Sequence, residues 1–90
     1  MRLAVLHLVS LGHRHISHLA GPQDVSTGQL GAEGFRSAML EAGLTPGPIA
    51  AAAAYTREAG QAAAERLLSR RGLTAIAAAN DLLALGAMLP

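Results

Sequence analysis

Four histidines, His7, His13, His15 and His18, crowd the start of this sequence. His13-x-His15-x-x-His18 invites a metal reading, because imidazole nitrogen is a common zinc donor. Such a site needs three or four donors that converge, and the only nearby carboxylate is Asp24, six residues on. If Ile16 to Ala20 is a strand, His15 and His18 are an odd number of residues apart and project to opposite faces. The histidines therefore read as turn and surface residues, and no metal is expected.

Gly28-x-x-Gly31-x-x-Gly34 raises the question of a phosphate loop. A dinucleotide fingerprint needs Gly-x-Gly-x-x-Gly after a strand, and a P-loop needs Gly-Lys-Ser/Thr; neither is present. Glycines three apart lie along one helix and weaken it by up to ~1 kcal/mol each against alanine. Close packing of that helix on its neighbours is the plain explanation. The free N–H groups near Ser26-Thr27 could still meet an anion or a hydroxyl. No Gly-x-Ser-x-Gly elbow exists, and Ser10, Ser17, Ser26, Ser37 and Ser69 lack an evident base. Asp24, Glu33, Glu41, Glu58, Glu65 and Asp81 offer no carboxylate pair distinct from solvated helix charges. No catalytic residue and no cofactor is expected, so the chain does not read as an enzyme.

Composition bounds what can hold these residues in place. Ninety residues suit one small domain or part of a larger one. Twenty alanines and only two aromatics, Phe35 and Tyr55, make a core that buries little area per residue. All seven basic residues are arginine, against six acids, and a net charge of +1 gives no basic footprint for nucleic acid. The absence of cysteine removes disulfides and thiolate sites and is compatible with a cytoplasmic location. The apolar run Leu3–Leu11 is broken by His7 and Ser10 and followed by His13-Arg14-His15, a poor signal peptide. Ile49–Ala54 is far shorter than the ~20 apolar residues of a membrane span.

Seven elements follow from the patterning. Leu3, Val5, Leu6, Leu8 and Leu11 suggest a short helix closed by Gly12. Ile16–Ala20, apolar and bounded by turn residues, reads as a buried strand. Ser26-Thr27-Gly28-Gln29 has capping-box spacing, opening a helix whose core face would carry Leu30, Gly34, Ala38 and Leu40 or Ala42, flanked by Phe35 and Met39. Thr45-Pro46-Gly47-Pro48 is a turn, and Ile49–Ala54 a second strand. Thr56 caps a third helix with Glu58 early and Arg66, Arg70 and Arg71 late, the charge order that suits the helix dipole. Thr74–Ala78 is a third strand, and Asn80 caps a last helix over 81–88. Buried strands that alternate with helices predict an α/β fold, a parallel sheet covered by helices on both faces. Three strands leave two open edges, which points to a fragment.

Three positions fall just past strand ends: Ser26/Thr27, Tyr55 and Asn80/Asp81. Open α/β sheets bind ligands in the crevice outside those ends. A hydroxyl, an aromatic ring and an amide could make a small polar-ligand site. Helix capping by Thr56 and Asn80, with Tyr55 as a strand-end residue, accounts for them equally well.

His7-Leu8-Val9-Ser10-Leu11-Gly12-His13-Arg14-His15-Ile16 resembles a stretch of the LacI/GalR family of transcriptional regulators. The likeness continues through Ala20-Gly21-Pro22, Ser26-Thr27-Gly28 and Gly34-Phe35-Arg36-Ser37-Ala38. It resumes at Tyr55-Thr56-Arg57-Glu58-Ala59-Gly60 and closes in Ala78-Ala79-Asn80-Asp81-Leu82-Leu83-Ala84-Leu85-Gly86-Ala87. The resemblance implies a partial type I periplasmic-binding-protein (LacI-like) fold, residues 1–90 forming part of the C-terminal effector-binding and dimerisation subdomain.

It further implies a small-molecule effector of the sugar or nucleobase class, with Thr27 as a hydroxyl ligand, Tyr55 stacking on the effector and Asn80 as a polar contact. Leu82, Leu85 and Gly86 match part of the homodimer surface. Operator DNA would be read only through a helix-turn-helix absent from these ninety residues, as is the N-terminal subdomain; no membrane partner is implied. The sequence departs from the family at Gly31, where an effector-binding arginine is usual. A truncated regulator is thus expected, the alternatives being a fragment of a sugar-binding transport protein of the same fold or a decayed reading frame without activity of its own.

Overall fold

The computed structural model of the chain describes residues 1–69, 72, 74–80 and 84. Helix α1 (Arg2–Ser10) leads into strand β1 (Ile16–Ala20), helix α2 (Ser26–Glu41), strand β2 (Ile49–Ala51), helix α3 (Arg57–Leu68) and strand β3 (Ala75–Ala78). The strands form one parallel sheet in the order β2-β1-β3. His18 pairs with Ile49 on one side and Ala77 on the other, and Ala20 pairs with Ala51. As the middle strand, β1 is buried along its whole length.

Successive residues of a strand face opposite ways, and the sequence uses this to build two cores. Ile16, Ala75 and Ala77 turn toward α1 and α2, where they pack with Val5, Phe35, Ala38 and Met39. Leu19, Ala50, Ile76 and Ala78 turn toward α3, against Ala63, Ala64 and Leu67. The parallel α/β sheet with helices on both faces is the expected fold. Both α1 and α2 end with a glycine at positive φ, Gly12 (95°) and Gly43 (76°). Each lets the next N–H turn back, His13 to the Leu8 carbonyl (3.2 Å) and Leu44 to that of Met39 (2.9 Å). Arg2 and Glu41 join the two helices through a bidentate pair, Nη2 to Oε1 at 2.8 Å and Nε to Oε2 at 3.0 Å. This contact raises the Arg2 pKa and lowers that of Glu41.

Three expectations are corrected. The N-cap of α2 is Val25, with no side-chain cap bond, in place of Ser26 with its capping box. Gln29, which that box requires, donates instead to the Gln23 carbonyl at 2.7 Å. The buried face of α2 is Gly28, Ala32, Phe35, Ala38 and Met39, while Leu30 and Leu40 are exposed. Among the described residues, Phe35 is the largest fully buried side chain, and it sets the rotation. Residues five positions away stand about 140° round the helix. Strand β2 stops at Ala51 rather than Ala54, because β1 ends at Ala20 and leaves nothing to pair with beyond the Ala52 N–H bond to the Ala20 carbonyl (2.8 Å). The last expected helix, with Leu82, Leu85 and Gly86, lies outside the described residues; Ala84, whose N–H donates to the Asn80 carbonyl at 3.0 Å, is described.

Candidate functional site

The C-terminal ends of β1 and β2 lie side by side, so the segments leaving them meet. From β1 the chain runs through Gly21-Pro22 into α2. Gly28 lies so close to the Pro22 carbonyl that no side chain fits between them. The Gln23 amide fastens this loop, donating to the carbonyls of Gly21 (2.9 Å) and Gly28 (2.9 Å). Thr27 is thereby held at the mouth. From β2 the chain turns to Tyr55 and then Thr56, whose hydroxyl accepts the Ala59 N–H at 3.1 Å and starts α3.

The Tyr55 ring lies directly over Gly21, in the space a Cβ on that residue would occupy. From there its hydroxyl reaches Thr27 Oγ1 at 3.3 Å. Two of the residues singled out in the sequence, 28 positions apart, therefore touch. Each hydroxyl keeps further hydrogen-bonding capacity. The half-buried ring offers an aromatic surface beside two polar atoms. Gly21 and Gln23 were not singled out in the sequence, although the Gly-Pro pair was a visible turn signal.

Asn80 follows β3, on the opposite side of β1 from β2. It lines a groove of about 380 Å3 with Ala4, His7, Leu8, Ala79 and Ala84. A second depression, about 480 Å3, adjoins the end of β2 between Gln23, Asp24, Ala52 and Arg66. Arg66 is oriented there by a 2.7 Å bond from Nη2 to the Ala51 carbonyl.

The histidines separate. His13 and His15 lie at the other end of β1: His13 Nδ1 meets Thr74 Oγ1 at 3.0 Å, and the Thr74 hydroxyl donates to the His15 carbonyl at 3.2 Å. Among the described residues, no group of three or more histidines or carboxylates converges on a point. His18 corrects the expectation of a surface residue, for it is fully buried at the centre of the sheet. Its ring stacks on Phe35, centroids 5.0 Å apart and planes 15° from parallel. Nδ1 lies 2.8 Å from the Ala77 carbonyl. A carbonyl only accepts, so Nδ1 carries the proton and Nε2 presents a lone pair. Burial lowers the His18 pKa against the opposing effect of the Ala77 bond, and Arg36 and the N-terminal amine lower it further. Nε2 is buried without a hydrogen-bond partner among the described residues. An unsatisfied buried polar atom costs about 1–3 kcal/mol.

Comparison with known proteins places this geometry in context. Residues 5–89 match the periplasmic binding protein-like domain. The transcriptional regulator MalR of Streptomyces coelicolor is 42% identical over 93 aligned positions, which take in 98% of this chain and 27% of that protein. A LacI-family regulatory protein from Corynebacterium glutamicum superposes with a TM-score of 0.87 at 33% identity, covering 97% of this chain and 35% of the other. The lac repressor dimer, solved bound to operator and the anti-inducer ONPF, gives 0.86 at 34% identity, covering 97% and 26%. The chain spans about a quarter of the length of the curated relatives it matches.

Proposed function

Since the chain belongs to the periplasmic binding protein-like domain family as it occurs in LacI-type regulators, we propose that it is the effector-sensing portion of such a transcriptional regulator, binding a sugar or nucleobase at the strand ends where Thr27 meets Tyr55. The observation that carries this reading is the Thr27–Tyr55 hydroxyl contact, held over Gly21 at the ends of two adjacent parallel strands. A flat ligand ring stacks on Tyr55, and its hydroxyl or N–H groups replace the long 3.3 Å bond between the two side chains. Asn80, at the end of β3, supplies a further polar contact. No general base or nucleophile is needed for this role, and the chain is read as a non-enzyme of the cytoplasm.

Regulation in this reading is linkage: effector and operator favour different arrangements of the whole protein, so each alters the affinity for the other. Operator DNA is read by a helix-turn-helix outside these ninety residues. The homodimer surface includes Leu82, Leu85 and Gly86. The test is a thermal-shift panel of neutral sugars and nucleobases on the purified chain. A true effector at 100 times its Kd stabilises the fold by about 2.7 kcal/mol. A panel in which no compound raises the midpoint contradicts the proposal.

A further inference from the structure

Arg66 sits in the last turn of α3, where a cation suits the helix dipole. Its Nη2 nevertheless leaves that helix and donates to the Ala51 carbonyl at 2.7 Å. This carbonyl lies on the open side of the sheet. A strand residue turns its N–H and C=O to one side, and the next residue turns them to the other. The Pro48 carbonyl accepts the His18 N–H (3.1 Å) and the Ala52 N–H donates to the Ala20 carbonyl (2.8 Å), so residues 48 and 52 face β1. Ile49 and Ala51 therefore face outward, along the edge that the order β2-β1-β3 leaves unpaired among the described residues.

An added strand bonds to alternate residues, so it needs both Ile49 and Ala51. Arg66 already occupies one of the acceptors. It also lines both hollows along this edge, the groove of about 240 Å3 beside Pro48, Ile49 and Leu67 and the depression of about 480 Å3 beside Ala52. The strand itself resists pairing very little. Ile49-Ala50-Ala51 runs on into Ala52-Ala53-Ala54 without a charge or a proline. Laid antiparallel on a second copy, Ile49 falls opposite Ala51 and Ala50 opposite Ala50, so no two large side chains meet. That pairing brings two Arg66 guanidiniums to one junction, where like charges repel.

We infer that Arg66 is a latch on an interaction surface: it holds the outer edge of β2 closed against a second copy of this chain, whose own β2 would otherwise add to the sheet antiparallel. The latch acts twice, by capping the Ala51 carbonyl and by placing a positive charge where the two copies would join. It is independent of the effector site.

The test is sedimentation velocity of the ninety-residue chain over a wide range of concentration, with circular dichroism to confirm the fold of each variant. Arg66→Met keeps helix propensity and removes the donors and the charge. Pairing then no longer breaks a bond from a charged donor in each copy, so the dimer Kd should fall at least about tenfold below that of wild type. Amide exchange at Ile49 and Ala51 should slow as the variant is concentrated. Ala51→Pro removes an outward N–H and leaves the bonds to β1 intact. Added to Arg66→Met it should restore wild-type behaviour, and alone it should leave wild-type self-association unchanged. Arg66→Met that associates no more tightly than wild type overturns the inference, as does association that persists in the double variant. Weaker self-association in Ala51→Pro alone also overturns it, since the wild-type edge would then be open.

Discussion

At the scale of single residues, position 18 gives a consequence readable without a ligand. Burial holds the folded-state pKa of His18 below its ordinary value near 6.5. Below that value the unfolded chain binds a proton that the folded chain refuses, so stability is complete above about pH 6.5 and falls as pH drops. The slope is at most about 1.4 kcal/mol per pH unit for one proton. Urea midpoints should therefore decline from pH 7 to pH 5, and His18→Phe should flatten that decline. An unchanged slope in the variant would show that His18 is not the group responsible. The pairing of Glu41 with Arg2 adds a further loss only below the ordinary carboxylate range, since its pKa is lowered.

Gly21 makes a second prediction at this scale. Its missing side chain is the seat of Tyr55, so Gly21→Ala should lift the ring and break the contact to Thr27. Tyr55 is the only tyrosine and there is no tryptophan, so near-ultraviolet fluorescence reports on it directly. Acrylamide quenching should rise in Gly21→Ala and stay unchanged in His15→Ala. Neither the burial of His18 nor this seat was legible in the sequence. The carbonyl that fixes His18 comes from Ala77, 59 residues away. Tyr55 is 34 residues beyond Gly21, and only folding brings them together.

Elements show where local sequence suffices. Thr56 before Arg57-Glu58-Ala59 is a cap by residue type and spacing, and its hydroxyl does accept the Ala59 N–H. Ile16–Ala20, bounded by turn residues, has the strand limits its pattern implies. Where a second element decides the outcome, local pattern fails. The extent of β2 is set by the length of β1, and the rotation of α2 by the depth of Phe35. The two helix starts give a paired test. Thr56→Ala should cost about 1 kcal/mol in urea unfolding, whereas Ser26→Ala, which removes no cap bond, should stay within about 0.5 kcal/mol. Equal losses would contradict the cap assignments.

For the whole molecule, two alanine-rich cores divided by one sheet place the candidate site at the ends of β1 and β2, and His13 and His15 at the other end. The strand-end rule for parallel sheets singles out Thr27 and Tyr55 as candidates, and the fold brings their two hydroxyls within 3.3 Å of each other. Charge is balanced, at +1 overall, so little affinity for the phosphate backbone is available. In a gel shift the isolated chain should not retard operator DNA at physiological salt; sequence-specific retardation would contradict the assignment of DNA reading to a module outside these residues. The central claim is that the effector is held at Tyr55 and Thr27. Isothermal titration of the panel compound that stabilises the chain most tests it directly, with wild type, Tyr55→Ala and His15→Ala compared. The account predicts at least a tenfold loss of affinity, about 1.4 kcal/mol, in Tyr55→Ala and none in His15→Ala. Equal affinities in all three, or equal losses in the two variants, would contradict it.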